Sequence, residues 1–234
     1  MLERKLDVTN TLYWVDKETG ATYGRVIGGL GWPGSRDGFL VVAGVARVED
    51  TDLEAFPITV LGETSAPDVD QLLREVLKAG NDFSPDRIYA DTENLGMMEV
   101  LNEFNRDRRR RGLNPLRLSP SPMVDMVEGS GQLSFYLQLI KKLTRPNRKV
   151  LFFGPGSNLP GYLLGLSRED AGKAAILDHP PVAALGVVLA VLTTWRRHRE
   201  PSRYQTEFDV FKPNYGAKRW EIDGETMETW NPFD

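Results

Sequence analysis

The feature that most constrains the fold is a pair of apolar segments joined by a glycine-rich turn. Residues 23–30 and 39–48 have strand-like apolar composition, and the turn between them contains Gly31, Gly34 and Gly38. The second segment is the clearest strand in the chain and is predicted to lie centrally in a sheet. With a third apolar segment at 58–61, the spacing predicts an antiparallel meander of three strands.

Beyond the meander, helical and strand-like periods alternate. A possible N-terminal edge strand precedes it at 12–15, and residues 154–173 are predicted to be rich in loops. Helices are predicted at 67–79, 95–111, 132–143 and 181–198, and short strands at 87–90, 115–118 and 149–153. This order predicts an α/β fold whose mixed sheet, a three-strand meander followed by alternating helix and strand, is flanked by helices. The same order is found in the ribonuclease H fold, which is an analogy of element order alone. The expected division is a domain at 1–200 and a C-terminal extension at 201–234.

Composition excludes several classes of site. The 234 residues include no cysteine and two histidines, so a disulfide framework, a thiolate nucleophile or a histidine-rich metal site is not expected. His179 is expected to be a helix-cap or surface histidine. The start of the chain has no apolar core of a signal peptide, and the longest apolar run, 182–192, is shorter than the roughly 20 residues that span a bilayer. We therefore expect a cytoplasmic protein without a membrane partner. The net charge is −4, but the middle of the chain is basic and its C-terminal tail is acidic.

A short apolar segment that ends on a carboxylate is the first candidate for chemistry. Residues 87–90 lead into Asp91, Glu93 stands two residues later, and Asn94 can cap the helix that follows. An acid at the C-terminal end of a strand, with a helix leading away, is a common arrangement for a metal ligand or a general base. An aspartate in such a turn can equally be a cap alone, so both roles stay open on this stretch.

The order of three motifs resembles the nuclease domain of the large terminase subunit of tailed phages, over about residues 25–198. In that family the first strand is followed by Asp-Pro-Gly or Asp-Pro-Ala, the fourth strand ends in hydrophobic-Ala-Asp-Thr, and the last helix opens with His-Asp-Asp. The corresponding stretches here are Gly31-Trp32-Pro33-Gly34, Tyr89-Ala90-Asp91-Thr92 and His179-Pro180-Pro181. The resemblance implies a ribonuclease H-like fold and a role in viral DNA packaging, in the host cytoplasm or in the virion.

The same resemblance implies a degraded catalytic site. In the family, carboxylates from the three motifs bind two Mg²⁺ or Mn²⁺ ions, which activate water and stabilise the leaving oxygen. Trp32, Pro180 and Pro181 stand at two of the three ligand positions here and cannot ligate a hard cation. The third position is retained as Asp91, with Glu93 nearby.

The expected site residues follow from these positions. Asp91 and Glu93 are the catalytic candidates, and Asp91 is the metal ligand, joined by either Asp37 or Asp178, which lie a few residues from the two vacated positions. The expected cofactor is none, or Mg²⁺ or Mn²⁺ if the site is active. A Walker A loop is absent, because the nearest stretch, Gly172-Lys173-Ala174, fails the pattern, so ATP hydrolysis by that route is not expected.

Basic residues cluster where predicted helices end. These residues can contact DNA phosphates. Alternatively, they can stabilise the helix C-terminus while their side chains remain in solvent. The residues predicted to bind the DNA backbone are Arg108, Arg109, Arg110, Arg111, Lys141, Lys142, Arg145 and Arg148, and a third cluster comprises Arg196, Arg197 and Arg199. The aromatic and acidic tail either docks on its own domain or binds a packaging or virion protein.

Three functions stay open on the sequence. The first is a stand-alone, terminase-nuclease-like protein of viral DNA packaging or virion assembly that binds DNA or a packaging partner without cleaving it, a pseudoenzyme. The second is an active two-metal DNA endonuclease. The third is a protein-interaction module that does not bind DNA.

Overall fold

The computed structural model describes residues 2–8, 10–47, 57–121, 131–144, 150–154, 156–166 and 178–199, with two short segments at 221–222 and 225–226. The strands are β1 Leu2–Leu6, β2 Leu12–Asp16, β3 Thr22–Gly31, β4 Gly38–Ala46, β5 Ile58–Ala66, β6 Ile88–Ala90, β7 Ser119–Pro120, β8 Leu151–Phe153, β9 Glu221–Ile222 and β10 Glu225–Thr226. The helices are α1 Val69–Phe83, α2 Leu95–Arg110, α3 Gly131–Thr144, α4 Leu159–Leu164 and α5 Pro180–Arg199.

Within the described ranges, eight strands form one mixed sheet, and the predicted α/β class is confirmed. The predicted meander is present, because β3, β4 and β5 pair antiparallel along most of their length. β6 pairs in parallel with the last part of β3, on the edge whose first part pairs with β2, and β7 pairs in parallel with β6. β8 adds in parallel to β5 at the far edge, and β1 pairs with β2.

The sheet separates two apolar cores, because successive side chains of a strand point to opposite faces. In β4, Val41 and Ala43 join the core formed with α3, α4 and α5, whereas Leu40 and Val42 join the core formed with α1 and α2. We call these two sides of the sheet the α5 face and the α1 face. The apolar run of α5 is buried as predicted, and Val182, Leu185 and Leu189 have no exposed surface.

Local signals explain where the helices near the site begin. The side chain of Asp68 accepts a hydrogen bond from the backbone N–H of Gln71 at the start of α1. The predicted cap of α2 is also present, since Asn94 Oδ1 accepts a hydrogen bond from Met97 N. Both helices run from the same end of the sheet, so their first turns lie near the C-terminal ends of the strands before them.

Several predicted elements differ from the structure. The strand expected at 115–118 is absent, and β7 follows it, because the Asn105 side chain binds both the N–H and the C=O of Leu116 and keeps them from a strand ladder. The region expected to be loop-rich contains α4, and β1 was not predicted. Within the part of the chain that the structure describes, no helix is both long enough and apolar enough to cross a membrane.

Candidate functional site at the ends of β3 and β6

Three segments that are distant in sequence meet at the C-terminal ends of β3 and β6. Trp32, just after β3, donates a hydrogen bond from Nε1 to the backbone oxygen of Asp91, just after β6, over 2.7 Å. Gly31, the last residue of β3, lies so close to the start of α5 that a Cβ atom there would stand 2.1 Å from the Pro180 oxygen. The three motif segments therefore form one local region.

The pleat of the sheet decides which side chains enter this region from each face. Trp32 is 3% exposed and belongs to the core on the α1 face, as does Leu30. Gly31 lies between them in sequence and faces α5, where it contacts Pro180. Trp32, the predicted vacated ligand position, therefore faces the α1 core, and Gly31 is the residue of β3 that faces the start of α5.

Asp91 is held in a turn that leads into α2. Its Oδ1 accepts a hydrogen bond from the backbone N–H of Glu93 over 2.9 Å, and Asn94 then caps the helix. Asp91 is partly buried, whereas Glu93 is exposed. This geometry accounts for Asp91 as a turn residue.

Tyr136 of α3 is a buried polar side chain close enough to Asp91 to be affected by its charge. Its ring packs directly on the backbone of Gly186 in α5. Burial raises the pKa of Tyr136 to about 12; a hydrogen bond with the Ser121 side chain opposes this shift, and the negative charge of Asp91 adds to it. Ser121 is positioned by its own N–H, which donates to the Ala90 oxygen over 2.8 Å. The phenol therefore stays protonated at neutral pH beside Asp91.

A second set of hydrogen-bonded polar side chains connects the loop after β3 to the start of α5. Ser35 donates a hydrogen bond to Asp178 Oδ1 over 3.3 Å, and Arg36 donates to the hydroxyl of Tyr162 over 3.1 Å. The same hydroxyl lies 2.9 Å from Nδ1 of His179. His179 is 1% exposed, so its expected role as a surface histidine is wrong, while its expected position at the helix start is confirmed by its backbone oxygen, which accepts from the first turn of α5.

The remaining metal-ligand candidates lie at the rim of this region. Asp37 and Asp178 are both exposed, and the Ser35 contact holds Asp178 to the loop after β3. Within the described ranges, no group of three or more His, Asp or Glu side chains is arranged to hold a metal ion. Mg²⁺ and Mn²⁺ require several oxygen ligands, and the close contact of Gly31 with Pro180 supplies none from a side chain. Among the described residues, β3 and the first turn of α5 therefore supply no carboxylate to join Asp91.

The predicted DNA-binding arginines of α2 have different surroundings. Arg108 Nε donates to the Asn114 oxygen over 2.8 Å, and Arg111 is paired with Asp107 over 2.8 Å. Both contacts stabilise the turn that ends α2, which is a structural role. Arg109 and Arg110 are exposed on the last turn of the helix.

The second predicted cluster lies on the other face of the sheet. Lys141 and Lys142 are partly buried in the last turn of α3, whereas Arg145 and Arg148 lie outside the described residues. Because α2 packs on the α1 face and α3 on the α5 face, the two clusters belong to different layers of the fold.

Comparison of the chain with protein-family models, with curated proteins and with solved structures found no match. The basis for a functional proposal is therefore the order of the strands and the geometry of the three segments that meet at Asp91.

Proposed function

We propose that this chain is a ribonuclease H-like protein related to terminase nuclease domains, and that it acts in viral DNA packaging or virion assembly as a binding module without cleavage activity. The order of the central strands supports the fold, because β5, β4 and β3 form an antiparallel meander and β6 and β7 then continue the sheet in parallel with β3. Helices α1 and α2 connect β5 to β6 and β6 to β7, as the analogy requires.

The main observation that supports the proposed lack of cleavage activity is the contact between Gly31 and Pro180. A carboxylate at position 31 would need the space in which the backbone of Pro180 lies, because three Pro180 backbone atoms are within 2.7 Å of a Cβ atom placed there. Asp91 therefore has no acidic partner on β3 or at the first residue of α5. A single carboxylate is too few ligands for two divalent ions.

A nicking assay on supercoiled plasmid with Mg²⁺ and with Mn²⁺ tests this proposal. We expect no conversion to nicked or linear DNA above the level of an Asp91→Ala variant. Cutting by the unmodified chain that disappears in Asp91→Ala, and persists in a surface variant of α1 such as Arg74→Ala, would reject it. The active alternative would then use Asp91 and Glu93, with Asp178 as the candidate third acid because Ser35 already holds it near β3.

A protein-interaction module differs from a DNA-binding module in one measurable property, the affinity for DNA and its dependence on salt. A DNA-binding module loses affinity steeply with salt, because each phosphate contact releases counterions. A filter-binding titration of duplex DNA across a salt series therefore separates the two. A partner protein bound by the chain in the absence of any DNA binding would favour the interaction module.

A further inference from the structure

Three basic helix ends lie at the same end of the fold, opposite Asp91. α2 leads from the end of β6 to the start of β7, and because those strands are parallel, its arginine-rich last turn lies at the end of the sheet where they begin. α3 ends beside the start of β8, where Val150 N donates to the Leu143 oxygen. We call this end of the sheet, where β6, β7 and β8 begin, the basic end.

The third helix reaches the basic end from the candidate site. α5 begins against Gly31 and passes Gly29 with Ala184, so it runs antiparallel to β3. From Gly31 to Arg25, β3 descends roughly 20 Å at about 3.3 Å per residue. At about 1.5 Å per residue, α5 covers the same distance by about residue 193. The basic sequence 196–199 follows in its last turns, about one turn beyond the level of Arg25.

Arginines of neighbouring strand segments lie at the same end. Tyr89 pairs with Ser119 in the parallel ladder, and Arg87 and Arg117 each stand two residues earlier on these neighbouring segments. Both arginines are exposed. Adjacent strands are about 4.8 Å apart, so the two guanidinium groups can reach the same phosphate or adjacent phosphates.

A cleft of about 370 Å³ opens beside Arg87, in the gap between β2 and β6 along the edge of β3, and its lining includes Arg25 and Asp86. Asp86 lies 3.5 Å from Arg25 and 3.8 Å from Arg4. One carboxylate therefore faces three guanidinium groups, those of Arg4, Arg25 and Arg87, and the rim of the cleft carries an excess of positive charge.

We propose that the basic end binds the phosphate backbone of duplex DNA, with Arg87 and Arg117 as phosphate contacts beside the Arg25 cleft. This inference rests on the DNA-binding part of the proposed function and adds where the duplex lies. Duplex DNA is the partner because the positive groups come from several elements across a broad end of the molecule, which suits an extended chain of phosphates. Arg87 stands four residues before Asp91, so about 13 Å of extended chain separates this phosphate contact from the acid.

Fluorescence anisotropy with a labelled duplex tests this inference over a salt series from about 50 to about 200 mM. The Arg87→Ala/Arg117→Ala double variant should bind at least about tenfold more weakly at low salt, and the slope of log affinity against log salt should fall by about 1.8, or about 0.9 per lost contact. The Arg87→Lys/Arg117→Lys variant keeps both charges and should retain most of the slope. Arg74→Ala removes one exposed arginine of α1, away from the basic end, and is the matched control; Asp91→Ala should also bind as the unmodified chain does.

Each outcome has a distinct meaning. If the unmodified chain binds DNA and the Arg87→Ala/Arg117→Ala variant binds equally well with the same salt slope, the location is wrong while DNA binding stands. If the unmodified chain does not bind duplex DNA even at low salt, both this inference and the DNA-binding part of the proposed function fail. Thermal unfolding by circular dichroism establishes that each variant is folded.

Discussion

The Gly31→Ala substitution is the most direct test of the closed site. Cβ atoms do not approach other heavy atoms within about 3.0 Å, and an alanine here would lie 2.1 Å from the Pro180 oxygen. Either α5 or β3 must move by about 1 Å. The obstacle is backbone, so a change of side-chain rotamer cannot relieve it.

The expected cost is at the upper end of the range for overpacking, about 3 kcal/mol of unfolding free energy. For a domain of this size that corresponds to a fall of about 6 to 12 °C in Tm. Gly80→Ala is the matched control, because no atom lies within 4 Å of a Cβ at Gly80 in α1. It should stabilise the chain by about 0.5–1 kcal/mol through helix propensity.

Urea denaturation of the two variants and the unmodified chain measures both values. Pro180→Ala combined with Gly31→Ala should not restore stability, because the contact is made by the Pro180 backbone. A loss below about 0.5 kcal/mol for Gly31→Ala, well under the overpacking range, would show that the end of β3 has room for a side chain. The argument that no carboxylate fits there would then be refuted.

Three further substitutions test contacts around the site. Trp32→Phe removes the N–H donor to the Asp91 oxygen and should cost about 1–2 kcal/mol, measured by urea denaturation; an unchanged stability would show that this bond contributes nothing. Asn105→Ala should cost about 2–4 kcal/mol, because it leaves both the N–H and the C=O of Leu116 without their partner, and hydrogen exchange at Leu116 N should accelerate; a protected amide would contradict this. Tyr136 has a pKa raised to about 12, above the value of about 10 for an unfolded tyrosine, so its contribution to stability is complete below about pH 10 and is lost as the pH rises towards 12. Tyr136→Phe should abolish that alkaline loss, on the order of 2 kcal/mol, and an unchanged pH profile of unfolding would be inconsistent with the buried phenol.

Residue patterns predicted most of the regular structure. The apolar segments of β3 and β4, the periodic face of α1 and the apolar run 182–192 of α5 are local properties, so they can be predicted without knowing their neighbours. The cap at Asn94 was predicted for the same reason, since the capping side chain and the N–H that it accepts are three residues apart.

Contacts between residues that are distant in sequence could not be predicted from such local patterns. Asn105 looks like an ordinary residue of α2, and only the folded chain shows that it binds the backbone of Leu116 and displaces the expected strand. From the sequence pattern alone, Tyr136 is one of several large side chains on the amphipathic helix α3. Its position beside Ser121 and Asp91 arises from packing of α3 against the sheet and α5.

The sequence by itself determined the order of the meander and of the helices α1, α2, α3 and α5, and it determined the three segments that would meet near Asp91, because these follow from periodicity and from the motifs. The tertiary structure alone decided that Gly31 and not Trp32 faces α5. A pleated strand sends successive residues to opposite faces, so a shift of one position exchanges the two cores, and the choice depends on which helix packs on which side.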